Sequence, residues 1–308
     1  MPISAFLPSG DDALVARTSI DSPAPAHHQA LVAVEAYSVN RGEILLLAGG
    51  RTEPPGKDIA GRVAQAAADG SGPPAGTRVV AHIDGGGWAE QVAVEAGRLV
   101  ALPDAVSAEQ GAALPLAGLT ALRLMRAAGD LDGRRLLLTG ASGGVGHYVT
   151  ELAVAAGARV TATSRTAERG ARLAELGATV VENVEDADGP FDVAMESVGG
   201  AMTGAAALKL RRGGLLLWYG QGSGQPAELD FFAVMAGPAE VAIRSFVYWL
   251  EADRDPEDLA TLVDLVAGGR LHPEIGDSAD WSSTPRVLAA VRDRQVRGNA
   301  VLTLNGKR

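Results

Sequence analysis

A glycine-rich turn is the stretch of this sequence whose residue types and spacing most clearly suggest chemistry. It reads GASGGVG over residues 140–146, between an apolar run and an amphipathic stretch. Gly143 and Gly144 would let backbone approach a pyrophosphate, and Gly146 would let a helix pack closely on a strand. Glycine also serves tight strand–helix turns for geometry alone, so the turn by itself leaves both interpretations open. The candidate phosphate-binding residues are Ser142, Gly143, Gly144, Val145 and Gly146.

The end of the next apolar run would select the cofactor. In dinucleotide-binding folds, an acidic residue about 20 residues after the turn holds the ribose 2′-hydroxyl. Here the run ARVTATS is followed by Arg165 and Arg169, and it ends at Ser164. Two guanidinium groups and a hydroxyl could bind a 2′-phosphate that a carboxylate would repel. Both arginines could instead be solvated charges at a helix start. Taken together with the turn, they predict NADPH as the cofactor.

The elements that must position these residues fall into two regions. The first third contains short, partly alternating β-branched runs separated by Pro and Gly clusters, which indicate a β domain. From about Ser107, helical spacing alternates with continuous apolar runs, as in a parallel sheet covered on both faces. The sequence AMTGAAALKLRRGG predicts a helix over residues 201–214. We therefore expect an α/β protein with one domain over 1–112, a doubly wound domain over 113–248, and a return over 249–308.

Composition limits the class of protein further. The chain has 308 residues, a net charge of −10 and 47% hydrophobic residues, which suffices for a full core. The acidic balance argues against nucleic acid as a partner. There is no cysteine, so no disulfide, thiolate nucleophile or cysteine-bound zinc can form. No apolar run is long enough for a membrane span, and the first residues do not resemble a signal peptide. We expect a cytoplasmic protein that does not contact a membrane.

Several segments together resemble the zinc-independent quinone oxidoreductase branch of the medium-chain dehydrogenases/reductases. The similarity covers nearly the whole chain, and it implies a GroES-like β domain built from both chain ends around a Rossmann domain. The acceptor implied by this resemblance is a quinone or an α,β-unsaturated carbonyl, reduced with NADPH. The segments that carry it are AYSVNRGEILLLAGG, PPGKDIAGRV, GGGWAEQVAVEAGRLVALPDAVSAEQGAALPLAGLTAL, GASGGVG, FDVAMESVGG and RGNAVLTL.

The resemblance also implies a set of residues near the nicotinamide. Three of these residues also have a purely structural interpretation. Asn40 could cap the next helix, Thr120 could bond back to its own helix, and Tyr219 could pack at a strand end. Tyr37 is a candidate proton donor, although its apolar neighbours are equally typical of a buried structural tyrosine. The residues implied by the resemblance are Asn40, Thr120, Tyr219, Gln221, Ser245, Phe246 and, in the loop before the last strand, Asn299.

Two positions depart from the pattern of some family members. Leu45 replaces a tyrosine after the Asn segment, which makes the acceptor pocket more apolar and removes a candidate acid. Val184 stands where a tyrosine lines the adenosine side. The five histidines show no ligand spacing, and we expect no metal; His147, on the first helical turn, is expected to be exposed.

Two other functions remain open at this point. One is an enoyl-thioester reductase, and the other is a protein that binds NADPH without catalysis. The apolar run VAIRSFVYWL would form the last strand of the Rossmann sheet. An apolar edge of this kind invites pairing with a second subunit, and it predicts a homodimer.

Overall fold

The computed structural model describes residues 1–304, which form fifteen strands and nine α-helices, numbered here along the chain. The strands are β1 (Pro2–Pro8), β2 (Val15–Asp21), β3 (Gln29–Val39), β4 (Asp58–Gln65), β5 (Arg78–His82), β6 (Gln91–Glu95), β7 (Val100–Ala101), β8 (Arg135–Leu138), β9 (Arg159–Thr163), β10 (Thr179–Val181), β11 (Phe191–Glu196), β12 (Leu210–Trp218), β13 (Ala242–Ser245), β14 (Ile275–Asp280) and β15 (Asn299–Thr303). The helices are α1 (Arg41–Ala48), α2 (Ala108–Ala113), α3 (Pro115–Ala128), α4 (Gly144–Ala155), α5 (Ala167–Glu175), α6 (Ala201–Leu208), α7 (Phe231–Ala236), α8 (Asp255–Ala267) and α9 (Thr284–Arg292).

The chain divides into two compact units. Unit 1 contains residues Met1–Leu119 and the segment from Glu251 onward, and unit 2 contains Thr120–Leu250. The sequence-based boundaries, after residues 112 and 248, lie a few residues earlier. The first boundary differs because the start of α3 packs within unit 1. There the Leu116 N–H donates to Asp58 Oδ1 at 3.1 Å, and Gly118 lies against Leu262.

Unit 1 is built on a seven-stranded sheet in the order β14-β15-β3-β4-β5-β7, with β6 also paired to β3. The C-terminal strand β15 lies antiparallel to β3, so segments from before and after unit 2 contribute to one sheet, while β1 and β2 form a separate two-stranded sheet. This confirms the expected β domain. Its core includes Trp88, whose ring stacks on Tyr37 with centroids 5.8 Å apart and whose indole N–H donates to the Ser38 carbonyl at 3.0 Å.

Unit 2 is built on a six-stranded parallel sheet in the order β10-β9-β8-β11-β12-β13. This is a doubly wound topology: from β8 the strands are added on one side up to β10, and from β11 on the other side up to β13. The strand order therefore reverses between β8 and β11. The central strands are almost wholly buried, which explains their continuous apolar runs. Ligands of such folds bind at the carboxyl ends of the strands beside the reversal. The fold therefore places the glycine turn, which follows β8, at that position.

The helix predicted over residues 201–214 is wrong in its second half. Helix α6 ends at Leu208, and β12 begins two residues later, where Leu210 pairs with Phe191 of β11. Gly213 has φ +72°, which a right-handed helix cannot contain. The pairing with β11 overrides the helical propensity of the alanine and leucine residues before it.

The helix expected from Ser107 is divided in two at Pro115. Ser107 caps the start of helix α2, because the Gln110 N–H donates to Ser107 Oγ at 3.1 Å. The helix ends at Ala113, and Pro115, which has no N–H to donate, starts α3.

Among the described helices, none combines the length and the apolar character of a membrane span.

Candidate functional site

The glycine turn has the close packing that its sequence predicts. Gly140 has φ +61°, in the left-handed region, and Gly143 precedes the first residue of α4. A Cβ added to Gly146 would lie 2.5 Å from the Ala141 carbonyl carbon, so only glycine fits there. At Gly143 the nearest atom to an added Cβ is the Gly140 oxygen at 3.5 Å, an ordinary contact. Packing therefore explains Gly146, whereas Gly143 leaves open space that a phosphate could use.

Helix α4 points its N-terminus at this turn. The first N–H groups of a helix and its dipole attract anions, and α4, with twelve residues, is long enough for both effects. His147, which we expected to be exposed, is buried. Its ring packs against the glycine-rich turn, and Nδ1 lies 3.0 Å from the Gly143 carbonyl oxygen.

The carboxyl end of β9 carries the residues proposed for the 2′-phosphate. Strand β9 is the parallel neighbour of β8, so this end lies at the same sheet edge as the glycine turn. Ser164 is buried, and its hydroxyl donates to the Thr166 carbonyl at 3.1 Å. Thr166 caps α5, because its hydroxyl oxygen accepts the Arg169 N–H at 3.3 Å. Arg165, between Ser164 and Thr166, is exposed. The structure thus brings both arginines to one end of one strand.

The carboxyl ends of β12 and β13 bring four more of the implied residues to this edge. Tyr219 is half-buried, and its N–H donates to the Glu196 carbonyl at 2.9 Å. Burial raises the pKa of Tyr219 to about 12, although a hydrogen bond with Ser197 opposes the shift. Phe246 donates its N–H to the Trp218 carbonyl at 2.8 Å, and Ser245 ends β13. Gln221 is exposed in the loop after β12.

Thr120, Val184 and Leu45 lie in different surroundings. Thr120 is buried on α3 in unit 2. Val184 is fully buried in the core cluster of unit 2, so it is a packing residue. Leu45 lies on α1 of unit 1 and is 57% exposed.

Asn40, Tyr37 and Asn299 belong to unit 1. Tyr37 is a core residue, which makes it unsuitable as a proton donor to a substrate. Its side chain is fully buried, its hydroxyl shares a hydrogen bond of 2.6 Å with Thr284 Oγ1, and burial raises its pKa. Asn299 is the first residue of β15 and not part of a loop, and its amide donates to the Glu274 carbonyl at 3.0 Å.

Asn40 is held by a group of buried acids that the sequence analysis did not identify. Its Nδ2 donates to Asp58 Oδ2 at 2.6 Å and to Ser38 Oγ at 3.2 Å, and it lies 3.4 Å from Glu43 Oε2. An acid at the start of the strand sequence DIAGRV, directly before three small or apolar residues, was the signal in the sequence. Because an ionised carboxylate only accepts, Asp58 fixes which side of the Asn40 amide carries the nitrogen.

Burial and neighbouring groups shift the pKa values of both acids. Burial raises the pKa of Glu43 to about 7, and the negative charge of Asp58 adds to the shift against hydrogen bonds from Asn40 and Gly56. Burial also raises the pKa of Asp58, and the charge of His82 opposes it. His82 in turn contacts Asp255, with Nδ1 and Oδ2 2.8 Å apart.

Glu196, a buried acid in unit 2, was also not identified from the sequence. It is the last residue of β11, and it accepts four hydrogen bonds at the carboxyl edge of the sheet. A glutamate inside the buried run FDVAME was its signal in the sequence.

Two family models match the chain. The model described as an alcohol dehydrogenase GroES-like domain matches residues 26–104, and the model described as a zinc-binding dehydrogenase matches residues 144–268. The fold and the glycine turn therefore define a GroES-like unit combined with a dinucleotide-binding unit. The chain belongs to the medium-chain dehydrogenase/reductase superfamily, in its quinone oxidoreductase-like branch.

Three similar proteins illustrate the relationship. The chloroplast envelope quinone oxidoreductase homolog of Arabidopsis thaliana is 41% identical over 47% of this chain and 46% of its own length. The 2-methylene-furan-3-one reductase of Solanum lycopersicum is 40% identical over 47% of this chain and 41% of its own. The chain thus matches about half the length of these curated relatives. The crystal structure of Escherichia coli quinone oxidoreductase complexed with NADPH has a TM-score of 0.87 at 22% identity, over 98% of this chain and all of that one.

The zinc named in one family description does not fit the residues present. The chain has no cysteine, and residues 1–304 contain no group of three or more His, Asp or Glu side chains arranged to hold a metal ion. We derive no step through zinc.

Proposed function

We propose that this protein is a zinc-independent, NADPH-dependent oxidoreductase that transfers a hydride to a quinone or an α,β-unsaturated carbonyl. One observation carries the proposal. The glycine turn lies where the sheet order reverses, and the adjacent strand β9 is followed by Ser164 and Arg165 instead of an acid. The quinone and furanone reductases among the relatives support the choice of acceptor.

The protein's part in the reaction is to bind and orient the cofactor, which supplies the hydride when bound. The turn and the N-terminus of α4 would hold the pyrophosphate, and Arg165 and Arg169 would hold the 2′-phosphate. An oxyanion left on the reduced acceptor needs a proton. Because Tyr37 is buried in the core, we assign this proton to water or to a ribose hydroxyl of the cofactor.

The test is a binding titration of NADPH and NADH with the wild-type protein and with the double variant Arg165→Asp/Arg169→Ala. We expect the variant to lose at least about tenfold of its preference for NADPH, because charge-assisted bonds to the phosphate are replaced by repulsion. Arg172→Ala is the matched control, since Arg172 lies on the same helix and pairs with Glu175 at 3.1 Å. An unchanged preference in the double variant would mean that the 2′-phosphate site is elsewhere.

Acceptors are then compared by NADPH oxidation with a benzoquinone, an α,β-unsaturated ketone and an enoyl thioester. Turnover of either of the first two supports the proposal. Turnover of the thioester alone would assign the protein to the thioester reductases. Tight NADPH binding with no turnover of any acceptor would make it a non-catalytic NADPH-binding protein.

We also propose that the protein is a homodimer paired through β13. All four residues of this strand are exposed, and it is the last strand in the sheet order. Ile243, Trp249 and Leu250 are exposed apolar side chains in and after it. An open apolar edge is a template for pairing with another strand. Light scattering should give the mass of a dimer for the wild type and of a monomer for Ile243→Lys; a monomeric wild type would contradict the proposal.

A further inference from the structure

Glu196 forms a hydrogen-bonded centre at the carboxyl edge of the unit 2 sheet. Its side chain is fully buried. Oε1 accepts from Thr139 Oγ1 at 3.2 Å, from the Val198 N–H at 2.5 Å and from the Gly199 N–H at 3.0 Å. Oε2 accepts from Thr203 Oγ1 at 3.0 Å. The two N–H groups can only donate, so Oε1 must be an acceptor, whereas the Thr203 hydroxyl at Oε2 can donate to a carboxylate or accept from an amide.

The first of these bonds reaches the glycine turn. Thr139 directly precedes Gly140, and its hydroxyl donates to Glu196 while it accepts the Ser197 N–H at 3.2 Å. The Ser197 hydroxyl then donates to the Thr139 carbonyl at 3.3 Å. A Cβ added to Gly140 would lie 2.6 Å from Ser197 Oγ, so the turn lies directly against this serine. The ends of β8 and β11 are therefore fastened to each other beside the proposed pyrophosphate site.

The second set of bonds orders the start of α6. Gly199 and Gly200 both have positive φ, and the carboxylate accepts the N–H groups of Val198 and Gly199 within this bend. Thr203, in the first turn of α6, donates its hydroxyl to the same carboxylate. A negative charge at the N-terminus of a helix is also favourable for the helix dipole.

A third loop rests on this bend. The Gly222 N–H donates to the Ser197 carbonyl and the Ser223 N–H donates to the Val198 carbonyl, each at 2.7 Å. Tyr219 donates its N–H to the main-chain oxygen of Glu196. The loop over residues 219–224, which contains Tyr219 and Gln221, is thus held by the segment whose shape the Glu196 carboxylate sets.

We infer that Glu196 is a positioning residue that holds the glycine turn and the 219–224 loop in the geometry that binds NADPH. The inference rests on the proposed function for the identity of the ligand. Glu196 acts through Thr139, Ser197 and the 198–199 backbone and does not itself contact the cofactor. Replacing its carboxylate by an amide removes the negative charge that strengthens these four hydrogen bonds, so both loops lose part of their support.

The test compares Glu196→Gln with Asp192→Asn. Asp192 is a matched control because it lies on the same strand at the opposite edge of the sheet. It also joins the neighbouring strands, since it accepts the Arg135 N–H at 2.8 Å and Arg211 Nε at 2.6 Å. We expect Glu196→Gln to weaken NADPH binding by about tenfold. Asp192→Asn should change the Kd by less than about twofold.

A second measurement, without cofactor, separates this inference from the proposed function. Amide hydrogen exchange over residues 140–146 and 219–224 should be faster in Glu196→Gln than in the wild type and unchanged in Asp192→Asn. If the wild type does not bind NADPH, the proposed function fails, and the exchange result still decides the role of Glu196. A Glu196→Gln protein that is less stable but has unchanged NADPH affinity and unchanged exchange in both loops would overturn the inference.

Thr139→Val keeps the inference testable if Glu196→Gln does not fold. This variant keeps the carboxylate and removes only the hydroxyl that bridges it to Ser197. Faster exchange should then be confined to residues 140–146, with a smaller loss of NADPH affinity. Unchanged exchange in this segment would overturn the assigned role.

Discussion

Glu43 in unit 1 and Glu196 in unit 2 are both buried glutamates that accept four hydrogen bonds, yet their surroundings differ. Glu43 accepts from the N–H groups of Gly56 and Lys57 and from the backbone and side chain of Asn40. The partners of Glu196 are two hydroxyls and two N–H groups. What distinguishes Glu43 is a second buried carboxylate, that of Asp58, which shares the Asn40 amide with it.

The comparison teaches that the number of hydrogen bonds does not alone decide how a buried acid behaves. Four donors do not prevent burial and the charge of Asp58 from raising the pKa of Glu43 to about 7. In unit 1 two buried acids share the Asn40 amide, and protonation of Glu43 relieves the repulsion between their charges. In unit 2 one acid organises loops from three parts of the chain.

The largest expected effect comes from Asp58→Ala. The change removes a buried acceptor shared by the Ser38 hydroxyl, the Asn40 amide and the Leu116 N–H. We expect the free energy of unfolding to fall by about 3 kcal/mol, measured by urea denaturation. Asp104→Ala, at an exposed site, should change it by less than about 0.5 kcal/mol. An equal, small effect of both changes would mean that the cluster contributes little to stability.

The next prediction concerns the pH dependence that Glu43 causes. Its pKa in the folded state, about 7, lies above its ordinary value of 4.5, so between these values the folded protein holds a proton that the unfolded chain has lost. Stability from this group is therefore present in full below pH 4.5 and is lost as the pH rises through 7. The slope can reach about 1.4 kcal/mol per pH unit.

Urea denaturation of the wild type and of Glu43→Gln between about pH 5 and about pH 8 measures this contribution over most of the expected window. The wild type should lose stability relative to the variant as the pH rises. Two parallel curves would show that Glu43 does not titrate in this range.

The smallest effect is expected from Thr203→Val, which removes one of the four donors to Glu196 while preserving the shape of the side chain. The loss should be about 1 kcal/mol in the free energy of unfolding, because the buried carboxylate keeps its other three donors. Thr179→Val, at an exposed position of β10, is the control and should be close to neutral. A neutral Thr203→Val would indicate that the hydroxyl is dispensable to the Glu196 centre.

Much of the fold could be predicted from local patterns. The continuous apolar runs predicted the parallel strands, and the glycine turn was located between a strand and a helix as observed. The failures occurred where a distant segment overrode the local preference. Residues 210–214 directly follow a segment of helix-forming residues, but Leu210 pairs with Phe191 and joins the sheet. His147 has the position of an exposed helix residue, but its ring turns onto the glycine turn.

In the candidate site, too, local motifs could be predicted from the sequence, whereas residues that depend on distant contacts could not. The residues of the turn, Arg165 and Arg169 could be identified because motif spacing along one strand–helix–strand segment is local information. Tyr37 could not be assigned from sequence, because its burial depends on contacts with Trp88 and with Thr284, which is 247 residues away. Asp58 and Glu196 were missed because an acid at the end of a strand has no motif spacing of its own, and only its partners reveal its role.

The sequence by itself determined the order of strands and helices, the glycine turn and the absence of cysteine chemistry, since all of these depend on residue types and short-range periodicity. Tertiary structure alone decided which polar groups are buried and what satisfies them. Thr139 and Ser197 meet only because β8 and β11 are neighbours in the sheet, although 58 residues separate them in the chain. A buried carboxylate must find its donors wherever the fold brings them, and no local pattern specifies that pairing.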